Sequence, residues 1–226
     1  TLAVGVNRMA RRNAIIRRLP AVETLGAVSV ICSDKTGTLT RNEMTVRTVA
    51  TADTTIAVDG NGYDPAGTFT IDGVPLDPPE APVLEELTLA ALLCNDAQLR
   101  ETGTGWTVVG DPMEGALVSL ALKAGHAMDT AKSSLPRLDE IPFDSRYRYM
   151  ATLNGAVGRE PIVYVKGAPE RLLTMCTTAA TANGPKAIDI DHWHRRVEEM
   201  AANGERVLAL ARLQVAPGTD DISPET

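Results

Sequence analysis

The sequence predicts an α+β fold, in which an antiparallel β-sheet of about six or seven strands is flanked by helices. Two observations carry this expectation. Short strand-like runs separated by turn signals crowd the middle of the chain, without the regular strand and helix alternation of a parallel sheet. Helical periodicity is confined to a few separate segments, each bounded by Pro, Gly or a capping residue.

In chain order, residues 1–19 have helix-forming composition and stop before Pro20. The run AVSVIC, residues 27–32, is apolar and rich in β-branched residues, and it predicts a buried strand. Between Glu43 and Leu76 strands alternate with turn signals, with Gly60-Asn61-Gly62 and Asp72-Gly73 as hairpin turns. A helix follows over about 82–94, with Leu84, Leu87 and Ala91 on one face. WTVVG, residues 106–110, predicts a strand.

DPMEGALVSLALKAG, residues 111–125, predicts a helix with Asp111 as N-cap, Pro112 first and Glu114 third, the pattern of a capping box. Leu117, Leu120, Ala121 and Ala124 form its apolar stripe. Strands are predicted at 138–143, 147–153, 161–166 and 205–213, and helices at 169–176 and 189–203. The tail VAPGTDDISPET has linker composition.

The balance of 22 basic and 29 acidic residues gives a net charge of -7, which argues against nucleic acid as a partner. The average hides an asymmetry. Arg8, Arg11, Arg12, Arg17 and Arg18 all precede Glu23, the first acidic residue. Such a cluster suits a solvated helix face, a nucleic-acid arm or a segment just below a membrane. No uncharged apolar run reaches the roughly 18 to 20 residues of a spanning helix, although TLAVGV could be the last turns of one. Cys32, Cys94 and Cys176 are odd in number and widely spaced, and read as thiols of a reducing compartment. His126, His192 and His194 show no metal-binding spacing.

The chemistry concentrates in ICSDKTGTLT, residues 31–40. A carboxylate after a buried strand, in a turn of Gly and Thr, stands where α/β sheets hold their ligands. Asp34 there can serve as a nucleophile toward a phosphoryl group, with Lys35, Thr36, Thr38 and backbone N–H groups near Gly37 stabilising the transferred charge. An ordinary Asx turn with a solvated Lys35 is the competing reading.

The heptapeptide Asp34-Lys35-Thr36-Gly37-Thr38-Leu39-Thr40 matches the phosphorylation signature of P-type cation-transporting ATPases. The remaining segments agree: NRMARRNAIIRRLPAVETLG (7–26) resembles the stalk below the fourth membrane helix. CNDA (94–97), GDPMEGAL (110–117), IPFDSRYRYM (141–150), VKGAPE (165–170) and ERVLALA (205–211) resemble motifs of the inserted nucleotide-binding domain, in order. The branch resembled is that of the calcium and sodium-potassium pumps, since no His precedes Pro as in the heavy-metal branch.

The resemblance implies a stalk over 1–26, the start of a Rossmann-like, haloacid-dehalogenase-type phosphorylation domain over 27–46, a nucleotide-binding domain over 47–215 and a linker over 216–226. It implies ATP and Mg2+ as cofactors, Asp34, Lys35 and Thr36 as catalytic, and Asp34 with Thr36 as part of an incomplete Mg2+ site. Thr36 occupies the position where related phosphatases keep a second carboxylate, so an acyl phosphate at Asp34 should persist. At the nucleotide it implies Phe143 stacking on adenine, Lys166 at the pocket floor with Gly167 beside it, Arg206 at the phosphates, and Asp111 and Arg148 nearby. Asp111 replaces a more common Glu, and Arg148 a more common Lys.

Each residue also has a plainer reading: Phe143 as core at a strand end, Lys166 as a rim charge, Arg206 as a surface charge, Asp111 and Glu114 as a capping box. No magnesium segment resembling GDGVNDAP, no TGES loop and no membrane ion site occurs in the sequence. The expectation is therefore a soluble fragment from the cytoplasmic face of a membrane pump, whose partners are ATP and the pump's phosphorylation, actuator and transmembrane domains. A self-contained phosphotransferase or a non-catalytic nucleotide-binding module are the alternatives.

Overall fold

Strand pairing is antiparallel at every ladder of the described residues. The computed structural model describes residues 2–18, 24, 26–103, 105–156, 158 and 160–224, without the side chains of Leu2 and Thr36. They fall into two compact units, 1–42 and 43–226.

In the first unit, helix α1 spans Leu2–Ala10, shorter than the helix expected over 1–19. Asn13 takes the left-handed conformation (φ 61°), a stop that Asn tolerates, and the turn is closed by Asn13 N–H donating to Ala10 O at 3.0 Å. Pro20, the expected stop, lies outside the described residues.

The strand expected over 27–32 is absent. Val28, Val30 and Ile31 are exposed, and no strand among the described residues pairs with this run. A strand buried on both faces needs neighbours for its backbone and its side chains, and apolar β-branched composition alone does not supply them. Residues Lys35–Leu39 instead form a single π-helical turn, closed by Thr40 N–H donating to Lys35 O at 3.0 Å, with Gly37 at φ 72°.

Among the described residues of the second unit, the antiparallel strands lie in two four-stranded sheets and two ribbons, with helices flanking them as expected. The first sheet runs β1 (Thr48–Ala50), β2 (Thr55–Val58), β3 (Phe69–Ile71), β4 (Val74–Leu76), in that order. Asp72 and Gly73, at φ 50° and 79°, close the tight β3–β4 hairpin as the sequence predicts. Gly60-Asn61-Gly62 lies instead in a longer β2–β3 connection. Side chains hold it: Arg47 donates to Gly60 O at 2.9 Å and Thr45 to Gly62 O at 3.2 Å.

Helix α2 (Pro82–Leu93) presents the expected face, with Leu84 and Ala91 fully buried. Leu84 joins Val49, Ile56, Val58 and Phe69 of the first sheet and Leu120 in one cluster; burying a leucine of this kind contributes about 2 kcal/mol. A ribbon of β5 (Gln98–Thr102) and β6 (Gly105–Val109) follows, then α3 (Pro112–Lys123) and the short α4 (Met128–Ser134). The sequence reading missed β5 and α4, whose polar composition carries no clear period.

The second sheet has the order β12-β9-β8-β7, with β7 Arg137–Asp144, β8 Tyr149–Asn154, β9 Ile162–Gly167 and β12 Ala209–Gln214. Its strands are those predicted, apart from the later start of β12. Between β9 and β12 stand α5 (Pro169–Met175), a small ribbon of β10 (Thr178–Ala179) and β11 (Lys186–Ala187), and α6 (Ile190–Ala202). Met150 and Tyr164 pack on Ala90 and Leu93 of α2 and on Cys94, its C-cap, from one face, while Ala151, Leu153, Val163 and Val165 pack with Leu172 of α5 on the other. Period-2 alternation thus puts Lys166 on the α2 face beside Tyr164.

Among the described residues no helix is long and apolar enough to cross a membrane.

Candidate functional site

Antiparallel pairing brings four strand termini to one end of the second sheet. Register pairs Asp144 with Tyr149, Tyr149 with Gly167, and Gly167 with Ala209. Phe143, Arg148, Lys166, Gly167 and the approach to β12 that carries Arg206 therefore share that end, although they are far apart in sequence.

Phe143 sits at an irregularity in the β7–β8 ladder between Ile141 and Asp144, and its side chain is 64% exposed. A bulge of this kind re-aims a side chain. The strand-end core reading fails, because the ring faces outward.

The β7–β8 turn is tied to Asp144: its carbonyl accepts from Arg148 N–H at 2.7 Å and its carboxylate from Arg146 N–H at 2.7 Å. The Arg146 guanidinium also grips that carboxylate and holds its pKa below the usual range. Arg148 adopts φ 59°, an uncommon conformation for a long side chain. Its guanidinium pairs with Glu170 Oε1 at 3.0 Å.

Gly167 is required by proximity. A Cβ there would meet Arg148 O at 2.5 Å and Tyr149 Cα at 2.8 Å, so only glycine lets the two backbones approach.

Lys166 is buried rather than a rim charge, at 4% exposure, and its Nζ donates to Glu114 Oε1 at 2.6 Å. Glu114 Oε2 accepts from Asp96 N–H at 3.3 Å. Asp111 caps α3 as predicted, its Oδ1 accepting from Met113 N–H at 2.8 Å and Glu114 N–H at 3.2 Å. Only half of the expected capping box forms, because the buried ammonium of Lys166 is a stronger partner for Glu114 than the exposed N–H of its own N-cap. Glu114 is thus a site residue that the sequence reading assigned to capping, and its link to Lys166 fixes the N-terminus of α3 against the sheet end.

Behind Lys166 on the same face, burial pushes the Cys94 thiol up to about 11, against the opposing influence of the Lys166 charge and a Thr152 hydrogen bond. This cysteine is a packing residue.

Arg206 is exposed but does not open a strand, since β12 begins at Ala209. Residues 203–205 still belong to the C-terminal cap of α6: Gly204 has φ 80° and Glu205 N–H donates to Met200 O at 3.2 Å. Glu205 also accepts from the Thr48 hydroxyl at 2.8 Å, which anchors the loop on β1.

The arrangement offers a flat exposed ring, a buried ammonium, exposed guanidinium groups and glycine backbone at one sheet end, the components for holding an aromatic ring and an anion. In the first unit, Asp34 and Lys35 are exposed at the π-helical turn, and the side chain of Thr36 lies outside the described residues. Among the described residues no group of three or more His, Cys, Asp or Glu is placed to hold a metal ion.

Comparison with known proteins agrees with this architecture. A family model described as the cytoplasmic domain N of P-type ATPases matches residues 83–223. A "Cation-transporting ATPase pma1" of Synechocystis is 51% identical over 224 residues, covering 96% of this chain and 24% of its own. A "Calcium-transporting ATPase type 2C member 1" of Bos taurus is 40% identical over 218 residues, 93% of this chain and 22% of its own. A "Calcium-transporting ATPase" of Bacillus subtilis is 40% identical over 172 residues, 76% of this chain and 19% of its own. The chain thus spans about a quarter or less of the length of these relatives. It belongs to the P-type cation-transporting ATPases and carries their cytoplasmic N domain.

Proposed function

We propose that the second unit binds ATP at the end of the β12-β9-β8-β7 sheet, and that the parent protein is a membrane cation pump driven by that ATP. The observation that carries this reading is the convergence of Phe143, Lys166, Gly167, Arg148 and Arg206 at one sheet end, with Phe143 exposed. Adenine stacks on Phe143, and the phosphates face the guanidinium groups of Arg148 and Arg206. Lys166, held by Glu114, forms the floor, and Gly167 lets backbone approach the ligand. Asp111 fixes the first turn of α3, which carries Glu114 to Lys166.

For the first unit we assign the phosphoryl acceptor to Asp34. A carboxylate oxygen of Asp34 forms a bond to the γ-phosphorus, the bond to the β,γ-bridging oxygen breaks, and ADP leaves, while Lys35 offsets the charge of the transferred phosphoryl group. Asp34 and Thr36 would hold Mg2+, with water and phosphate oxygens completing its shell, and the ion would offset charge on the transferring phosphoryl group. In the same proposal, residues 1–26 are the stalk at the cytoplasmic face, 27–46 begin the phosphorylation domain, 47–215 are the nucleotide domain and 216–226 lead back.

Calorimetric titration of the 226-residue chain with ATP tests the nucleotide site. Binding is expected, and Phe143→Ala should weaken it by about tenfold, the loss of one base-stacking contact, while leaving the thermal midpoint unchanged because the ring is exposed. Equal affinity in both proteins would sink the assignment.

A further inference from the structure

Arg148 is tied to residues 167–170 at two points of different strength. The backbone tie is firm: Ala168 N–H donates to Arg148 O at 2.9 Å, directly above the glycine whose missing Cβ makes room for that carbonyl. The left-handed backbone at Arg148 is thereby held in place. The side-chain tie is loose. Arg148 and Glu170 are 57% and 55% exposed at their side chains, so their 3.0 Å pair is screened and exchanges partners readily in water.

The neighbouring cations are held differently. Arg146 is gripped through Nε and a terminal nitrogen by both oxygens of Asp144, and it lies over the Tyr147 ring. Lys166 is buried against Glu114. Arg148 thus combines a fixed Cα with an exchangeable guanidinium, the arrangement of a tethered cation awaiting an anion. Its ion-pair partner among the described residues is Glu170, on the helix that follows Gly167.

We propose that Glu170 is a positioning residue that parks Arg148 beside the nucleotide site and gives it up to the phosphate tail of a bound nucleoside di- or triphosphate. The proposal rests on the nucleotide reading above. A guanidinium matches phosphate through its planar fork, so Arg148 gains by the exchange. The Glu170 carboxylate returns to water, to which it is already open, so the exchange buries no charge. Until the exchange occurs, Glu170 opposes the phosphates and occupies the cation that would bind them. The pair therefore sets how much the phosphate tail adds to affinity and has no bearing on the nucleoside.

The test is calorimetric titration of the full 226-residue chain at low ionic strength with ATP and with adenosine, for wild type, Glu170→Gln, Arg148→Ala and the double variant. Glu170→Gln is expected to tighten ATP by about two- to fivefold and to leave adenosine unchanged. Arg148→Ala should weaken ATP, and Glu170→Gln should add nothing in that background. An unchanged ATP affinity in Glu170→Gln overturns the role. So does an equal gain with and without Arg148, which would reflect only the field of the carboxylate, or a change for adenosine. Flat titrations of wild type with both ligands would instead overturn the nucleotide reading beneath it.

Discussion

Lys166 Nζ and Glu114 Oε1 lie 2.6 Å apart, with side chains only 5% and 15% exposed, and so join the end of strand β9 to the first turn of helix α3. Removing one partner from such a pair leaves the other charge buried without its counterion, at a cost of about 3–5 kcal/mol. Glu114→Ala is expected to lower stability by about 3 kcal/mol, and Lys166→Met with Glu114→Ala by less than the sum of the single changes. Urea unfolding of the four proteins measures the coupling. Additive losses would mean that the pair does not form.

The pair also marks where sequence reading stopped. Asp111-Pro112-Met113-Glu114 satisfies the local rules for a helix start, and the cap at Asp111 forms as expected. Nothing local reveals that a lysine 52 residues later competes for Glu114. Strands β7, β8 and β9 and helices α2, α3, α5 and α6 were legible because their apolar period is carried by their own residues. The run 27–32 was misread for the same reason: its composition suits a strand, but a strand exists only with partners. Phe143 was legible as a residue type and not as an exposed one, since its exposure depends on a ladder irregularity opposite Tyr149. Arg148 and Glu170 both lie within motif segments, but their meeting depends on the β8–β9 register.

Gly167 is where the sheet and the site place the same demand on the backbone. Gly167→Ala would set a Cβ 2.5 Å from Arg148 O and 2.7 Å from Tyr149 Cβ, and the first of these is backbone that cannot rotate away. A loss of about 1–3 kcal/mol is expected, together with weaker ATP binding, because the displaced carbonyl belongs to Arg148. Gly103→Ala is the control, since a Cβ there meets nothing within 4 Å. Guanidinium unfolding of both variants decides the point: equal midpoints would show that the sheet end can relax around the added methyl.

Cys94 makes stability fall at alkaline pH. Its thiol is raised from 9.0 to about 11, burial being the main cause. A group whose folded pKa lies above its unfolded value favours folding fully below the unfolded pKa, and that contribution is lost as pH rises through the folded one. The window is therefore about pH 9 to 11, and the loss is on the order of 2 kcal/mol by about pH 10.5. Tyr164, raised from 10.0 by burial and by Glu86, begins to add its own loss near pH 10, in wild type and variant alike. Urea unfolding at pH 8 and at about pH 10.5 should show a larger alkaline loss for wild type than for Cys94→Ala. The variant starts lower because of the small cavity it opens, so the difference between the two pH values is the informative quantity. Parallel losses in the two proteins would remove Cys94 as the cause.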